Sequence, residues 1–317
     1  MDLAGRISDV IANNDRTLGL KVGVALRWLE TGEEALIDAD LPVPLASVVK
    51  VPVLVEAFRQ IESGCLRLDD RWSLSARLKT VGSGILRALD DGLAPTVRDV
   101  LTLMIVVSDN SATDMVLDRV GVASVHARMR ELGLDNIHVR HTIREIFDDM
   151  LPSGDPSQDA EELARWEAER GVRRDGFSYS RGPDNNAGTP RDVMCLMALI
   201  FEGKAAGGPS CRAMLDILAR QHYNERFPRY LPAGTRVAHK TGSFAGVSND
   251  AGLLYVSDNA HVAFAVLCTW DQESVRGNRI AEVEATTALW DTIGRIGLAA
   301  FEHVREAGSS HDPRGRD

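Results

Sequence analysis

The chain has no CxxC pair and no histidine set at metal-ligand spacing, so neither a metal nor a cofactor is predicted. Its four cysteines, Cys65, Cys195, Cys211 and Cys268, are scattered and are expected to be buried small hydrophobes in a reducing compartment. His138 and His141 stand three apart with no third ligand in evidence, and are expected on the surface. Positive charge is scarce: Lys and Arg total 36 against 46 Asp and Glu, for a net charge of -10. A nucleic-acid partner needs a basic footprint, and that composition excludes one. Long apolar runs are missing too. The longest, Leu41 to Phe58, is broken by Pro42, Pro44, Lys50, Pro52 and Glu56, which is no bilayer span. The opening MDLAGRISDVIANNDR lacks the basic start and apolar core of a secretory signal. The protein is therefore expected in the cytoplasm if Met1 is the native start, and in the periplasm or secreted if an export signal has been removed. Repeats and low-complexity segments are also absent.

What remains is an ordinary globular composition, 44% apolar and 26% charged over 317 residues, enough to bury a sizeable core. Leu3, Ile7, Val10 and Ile11 recur at helical spacing. Lys21 to Leu29 alternates with Val22, Val24, Leu26 and Trp28 on one face, and Thr31-Gly32 turns it into a hairpin partner at Glu34 to Asp38. Ala46 to Ser63 is predicted as a helix ended by Gly64, with Pro52 inside it expected to bend it or to free a carbonyl. Helices follow over Val97–Val107, Ala112–Val120 and Val122–Leu132, the last two closed by Gly121 and Gly133. Residues 145–188 are acidic and rich in Gly, Pro and Asn, and predict a long loop with one polar helix near Gln158–Arg170. Thr189-Pro190 starts a helix to Phe201. Three strands, Arg236–Lys240, Ala251–Val256 and His261–Trp270, precede a last helix from Asn278 to Arg305, and the tail is expected to be disordered. The pattern predicts an α/β fold: an antiparallel sheet built from both termini and flanked by helices, with an all-helical lobe inserted. The expected division is 1–46 with 203–317 as the α/β lobe and 47–202 as the helical lobe of a single domain.

Three short motifs carry chemistry. Ser47 and Lys50 stand at i and i+3, which on a helix places them on one face. A serine hydroxyl needs a base to become a nucleophile, and a desolvated lysine has its pKa lowered toward that role. S-x-x-K alone is weak, since about one is expected by chance in such a chain. Ser108-Asp109-Asn110 falls where one helix breaks and another begins; it reads either as a cap or as a proton-relay serine with a substrate-holding amide. Lys240-Thr241-Gly242 ends an alternating strand. It reads either as an edge lysine before a turn, or as a cation and a hydroxyl for a substrate carboxylate, with the glycine letting a ligand lie close.

In this order, and on these elements, the set resembles the class A β-lactamases and their penicillin-binding relatives. The likeness extends into Val107-Ser108-Asp109-Asn110-Ser111-Ala112-Thr113, His239-Lys240-Thr241-Gly242-Ser243 and Asn249-Asp250-Ala251-Gly252, and spans roughly residues 20 to 300. It implies a β-lactamase-like fold and a serine hydrolase acting on a β-lactam, amide or ester through an acyl-Ser47 intermediate. Ser47 would attack, Lys50 act as base or base-relay, and Ser108 pass the proton to the leaving nitrogen. Asn110 would contact the substrate amide, Lys240 and Thr241 hold its carboxylate, and the amides of Ser47 and Ser243 form the oxyanion hole. Arg226 stands where several relatives keep a carboxylate-binding arginine. The implied partner is a small molecule bearing a carboxylate.

The resemblance fails at one point. Class A β-lactamases carry E-x-x-L-N, whose glutamate activates the deacylating water. Aligned on this chain, Ile143 takes the place of that glutamate and Phe147 the place of the asparagine. Glu145, two residues late, is the alternative catalytic carboxylate provided the loop shifts. The competing reading is a penicillin-binding or sensing module that is acylated and does not turn over.

Overall fold

The computed structural model describes residues 1–13, 19–151 and 171–309. Helix α1 (Leu3–Ala12) is capped by Asp2, whose carboxylate accepts from the Gly5 amide at 2.9 Å. Strands β1 (Lys21–Trp28) and β2 (Glu34–Ile37) form the first hairpin, followed by the short β3 (Val43–Pro44). A 3₁₀ turn, Ala46–Val49, leads into α2 (Lys50–Glu62). Then come α3 (Val97–Val106), α4 (Asn110–Val120), α5 (Val122–Glu131) and α6 (Ile143–Met150). Short strand β4 (Ala187–Gly188) pairs with β3, ahead of α7 (Pro190–Phe201) and α8 (Gly208–Leu218). Strands β5 (Val237–Phe244), β6 (Val247–Ser257) and β7 (Ala260–Thr269) precede the closing helix α9 (Arg279–Ser309).

The main sheet runs β2-β1-β7-β6-β5 and is antiparallel throughout. β1 pairs with β7 from Lys21–Thr269 to Trp28–Val262, so the two ends of the chain close the sheet, as the patterning predicts. The alternation in β1 divides two cores. Val22, Val24, Leu26 and Trp28 join Leu3 and Ile7 of α1 and Leu289, Ile293, Ile296 and Val304 of α9. On the opposite face, Ala25, Leu253, Ala265 and Leu267 belong to a larger cluster with α2, α3, α4, α7 and α8. α7, within the stretch assigned above to the helical lobe, lies against β1, β6 and β7.

Several expectations are corrected. The helix predicted from Ala46 begins as a 3₁₀ turn and becomes α-helical only at Lys50. Pro52 therefore falls in the first turn of α2, where its missing N–H removes no intrahelical bond and no bend is required. Residues 145–150, expected as the start of a long loop, belong to α6 (Ile143–Met150). A Thr142/Glu145 capping box starts that helix, a signature present in the sequence as T-x-x-E. β5 does not end at Lys240 but runs through Thr241 and Gly242 to Phe244, paired residue for residue with β6. Cys65 is exposed and Cys195 half-buried; only Cys211 and Cys268 are buried, and all four are free. The helix expected at Gln158–Arg170 lies outside the described residues.

Candidate active site

The S-x-x-K segment is held by contacts from three directions. Leu45, just before the turn, donates its amide to the Asn186 carbonyl at 2.9 Å. Asn249 of β6 donates its side-chain amide to the carbonyls of Pro44 and Leu45 at 2.9 and 3.1 Å. Strand β5 presses against the same turn at Gly242, where an added Cβ would stand 2.7 Å from the Leu45 oxygen and 3.1 Å from the Ser47 nitrogen. The glycine thus admits the nucleophile's own turn, where a ligand was expected from the sequence. Ala46, immediately before Ser47, has φ +48, and Ser108 has φ +55. Left-handed backbone at a non-glycine residue costs on the order of 1 kcal/mol or more and gathers at functional sites.

Lys50 is fully buried. Its ammonium donates to the Ser108 carbonyl at 2.6 Å, the Ser108 hydroxyl at 3.1 Å and the Asn110 side-chain oxygen at 2.8 Å. Those acceptors take all three of its protons, and among the described residues none of its bonds runs to Ser47. Burial brings its pKa down to about 7, opposed by the charges of Asp109 and Asp114. Lys50 is therefore poised between ammonium and free amine at neutral pH.

The S-D-N segment divides its labour. Asp109 caps α4 through the Ala112 amide at 2.9 Å and ties down the amides of Ile85 and Leu86 at 2.7 and 2.8 Å. Asn110 donates to the Val81 carbonyl at 2.7 Å while accepting from Lys50. Its side chain both lines the cleft and positions the lysine.

On β5, Lys240 is also fully buried, and its ammonium donates to the Thr241 carbonyl at 2.7 Å. Burial holds its pKa well below the usual lysine value, and the charges of Lys50 and Arg226 push the same way. Arg226 donates to the carbonyls of Gly242 and Asn249 at 2.9 and 2.5 Å and to the Ser243 hydroxyl, and lies over the Trp290 ring at 5.5 Å. Burial lowers its pKa as well. Below the strand, His239 bridges the Asp250 carboxylate at 2.8 Å and the Asn224 side-chain oxygen at 3.2 Å. Asp250 also accepts from the Phe227 amide at 3.1 Å, anchoring the segment that carries Arg226.

These elements surround one cavity of about 520 Å³ lined by Ser47, Ser108, Asn110, Arg226, Thr241 and Ser243. Glu145 is not brought into it. It is exposed, and its carboxylate accepts from the Thr142 amide and hydroxyl at 2.7 and 3.0 Å. Its place in the capping box turns it away from the cavity that Ile143 and Phe147 line. Lining residues with no sequence motif to announce them include Ser83, Ser178, Tyr223, Glu225 and Trp290. Ser178 keeps a buried hydroxyl with no partner among the described residues. Neither His138 nor His141 joins a metal-binding group among those residues; His141 stacks on Phe177 with ring centroids 3.9 Å apart.

A serine on a strained turn, a buried lysine of lowered pKa, a second serine bonded to it and an arginine bonded to the β5 strand are the groups that a serine acyl-transfer site calls for. A model of the β-lactamase enzyme family matches residues 2–304, and the chain belongs to that family. It is 26% identical over 268 residues to the β-lactamase regulatory protein BlaB of Streptomyces cacaoi, covering 78% of this chain and 84% of that protein. A β-lactamase from Sphaerobacter thermophilus superposes with a TM-score of 0.73 at 27% identity, over 96% of this chain and 97% of its own. A leucine-to-glutamate variant of PBP-A, solved as an acyl-enzyme complex with penicillin G, superposes at 0.72 with 23% identity, over 96% and 98% of the two chains. The fold is that of the β-lactamases, and the protein is a serine hydrolase of the class A type.

Proposed function

We propose that this hydrolase acylates readily on Ser47 and releases its acyl group slowly, with a carboxylate-bearing β-lactam, amide or ester as substrate. The observation that carries the proposal is the wall facing the cavity from α6: Ile143 and Phe147 line it, and Glu145 is bound into a helix cap. Acylation asks for what is present. Ser47 Oγ bonds to the carbonyl carbon, the bond to the leaving nitrogen or oxygen breaks, and the hydroxyl proton passes to the leaving atom. Neutral Lys50, whose bonds run to Ser108 and Asn110, would have to turn its amine toward Ser47 to take that proton, and Ser108, bonded to it, would hand it on. Arg226 and Thr241, which line the cavity, would face the carboxylate, with Lys240 buried behind them against the Thr241 carbonyl. Deacylation asks for a placed base, whose contribution is typically about a hundred- to ten-thousandfold. Among the described residues, the acidic residue in the cavity lining is Glu225, beside Arg226.

A second reading, a sensing module that remains acylated, is favoured by the likeness to a β-lactamase regulatory protein. Both readings are tested by intact-mass spectrometry during incubation with benzylpenicillin. The expected result is an adduct that accumulates on the wild type and is absent from folded Ser47→Ala. Decay over many turnovers supports the hydrolase, and a single persistent adduct supports the sensor. Rapid turnover without accumulation, or undiminished labelling of Ser47→Ala, would overturn the proposal.

A further inference from the structure

The residues of α6 that line the cavity are Ile143, Ile146, Phe147 and Met150. They stand at i, i+3, i+4 and i+7, one continuous apolar stripe of a helix. Glu145 and Asp148 on the other side are exposed. Such a stripe normally packs wholly into a core; here it also forms a wall of the cavity that contains Ser47.

The wall is fixed before any ligand arrives. The Asp114 carboxylate accepts from the Ile143 and Arg144 amides at 2.8 and 3.0 Å, and Arg144 donates to the Lys79 carbonyl at 2.5 Å. At the far end of the helix Asp149 accepts from the Ser178 amide at 2.8 Å. The polar side chains beside the stripe are committed to the protein. Asn186 accepts from the Arg140 and His141 amides at 2.7 and 3.0 Å and donates to the His141 carbonyl at 2.9 Å. Asn185 donates to the Ser178 and Ser180 carbonyls at 2.8 and 2.7 Å and accepts from the Asn186 amide. The Ser178 hydroxyl alone of these has no partner among the described residues, and it is itself buried.

We infer that the α6 stripe is the acyl-group subsite, and that the substrate is an ester, thioester or amide of an apolar acyl chain. This rests on the acyl-Ser47 reading. The apolar wall contributed by α6 then receives the acyl part, and the β5 side, where Arg226, Thr241 and Ser243 stand beside Phe244 and Trp290, receives an anionic leaving group. A preformed apolar wall gains affinity with each methylene removed from water, and leaves few groups to hold a deacylating water.

S-acyl thioglycolates from acetyl to hexanoyl test the inference, because they vary the acyl chain and keep an anionic leaving group. Ser47 Oγ bonds to the thioester carbon, the C–S bond breaks, and thioglycolate leaves with the hydroxyl proton. The second-order acylation rate, read by intact mass, should rise roughly fourfold for each added methylene. Ile146→Asn should flatten that rise, and the apolar Ile146→Leu should keep it. Chain-length-independent acylation of the wild type, an unchanged rise in Ile146→Asn, or a rise lost in Ile146→Leu as well would overturn the subsite. Acylation at no chain length would defeat the acyl-Ser47 reading itself.

Discussion

Gly242 lies against Ser47: a β-carbon on the strand residue would come within 3.1 Å of the nucleophile's backbone nitrogen and 2.7 Å of the Leu45 oxygen. The neighbour is backbone, already held by Asn249, so it cannot swing aside as a side chain would. Gly242→Ala should displace the turn. A misplacement of about 1 Å costs on the order of a hundredfold in rate, and acylation of Ser47 should fall by that order while the far-ultraviolet circular dichroism stays unchanged. Wild-type acylation kinetics in the variant would show that the contact does not position the nucleophile.

Lys50 titrates near neutrality because burial disfavours its charge. If its free amine accepts the Ser47 proton, acylation should rise with pH and level off above an apparent pKa of about 7. A rate independent of pH between about 6 and 9 would remove Lys50 from the base role. The same shift acts on stability. The folded value of about 7 lies below the ordinary 10.5, so the unfolded state binds more protons between the two. Unfolding free energy contributed by this group therefore increases as pH rises through that window.

Glu145 and Glu225 should behave in opposite ways. Glu145→Gln keeps a side chain able to complete a capping box, so deacylation should be unaffected and stability should change by less than about 1 kcal/mol. Among the described residues Glu225 is the acidic residue in the cavity lining; if it activates water at all, Glu225→Gln should lengthen the life of the adduct about a hundredfold or more. Single-turnover mass spectrometry measures both. A sharp slowing in Glu145→Gln would contradict its placement outside the cavity.

Asp114 is buried and accepts from the Thr80 hydroxyl at 2.6 Å as well as from the two α6 amides. Burial pushes its carboxyl pKa up, against the pull of those hydrogen bonds. Asp114→Ala strands three donors in the interior, and urea denaturation should show a loss of roughly 3 kcal/mol or more. Hydrogen exchange should quicken first in the amides of α6. A loss under 1 kcal/mol would mean that α6 is held by its packing alone.

Much of this architecture was legible in the residues themselves. The alternation of Val22, Val24, Leu26 and Trp28 marked one face of β1, and that face does pack on α1 and α9. Gly121 and Gly133 closed their helices, and Ser47, Lys50, Ser108 and Lys240 announced themselves by motif. α6 was also written in the sequence, as a T-x-x-E box followed by apolar residues at 143, 146, 147 and 150. The glutamate of that box, Glu145, serves the helix as a cap.

Local patterning determined which segments are helix or strand and which side chains have chemistry to offer, because both depend on residues a few positions apart. Partnership did not follow from it. That Gly242 serves the Ser47 turn, that Lys50 spends its protons on Ser108 and Asn110, and that Glu225 and Trp290 reach the cavity all depend on segments separated by 58 or more positions for the lysine alone. Burial was likewise a tertiary decision. The motifs single out Lys50 and Lys240, but only the packed lobes take them out of water, and the cost of that desolvation is what brings the Lys50 amine to the edge of deprotonation.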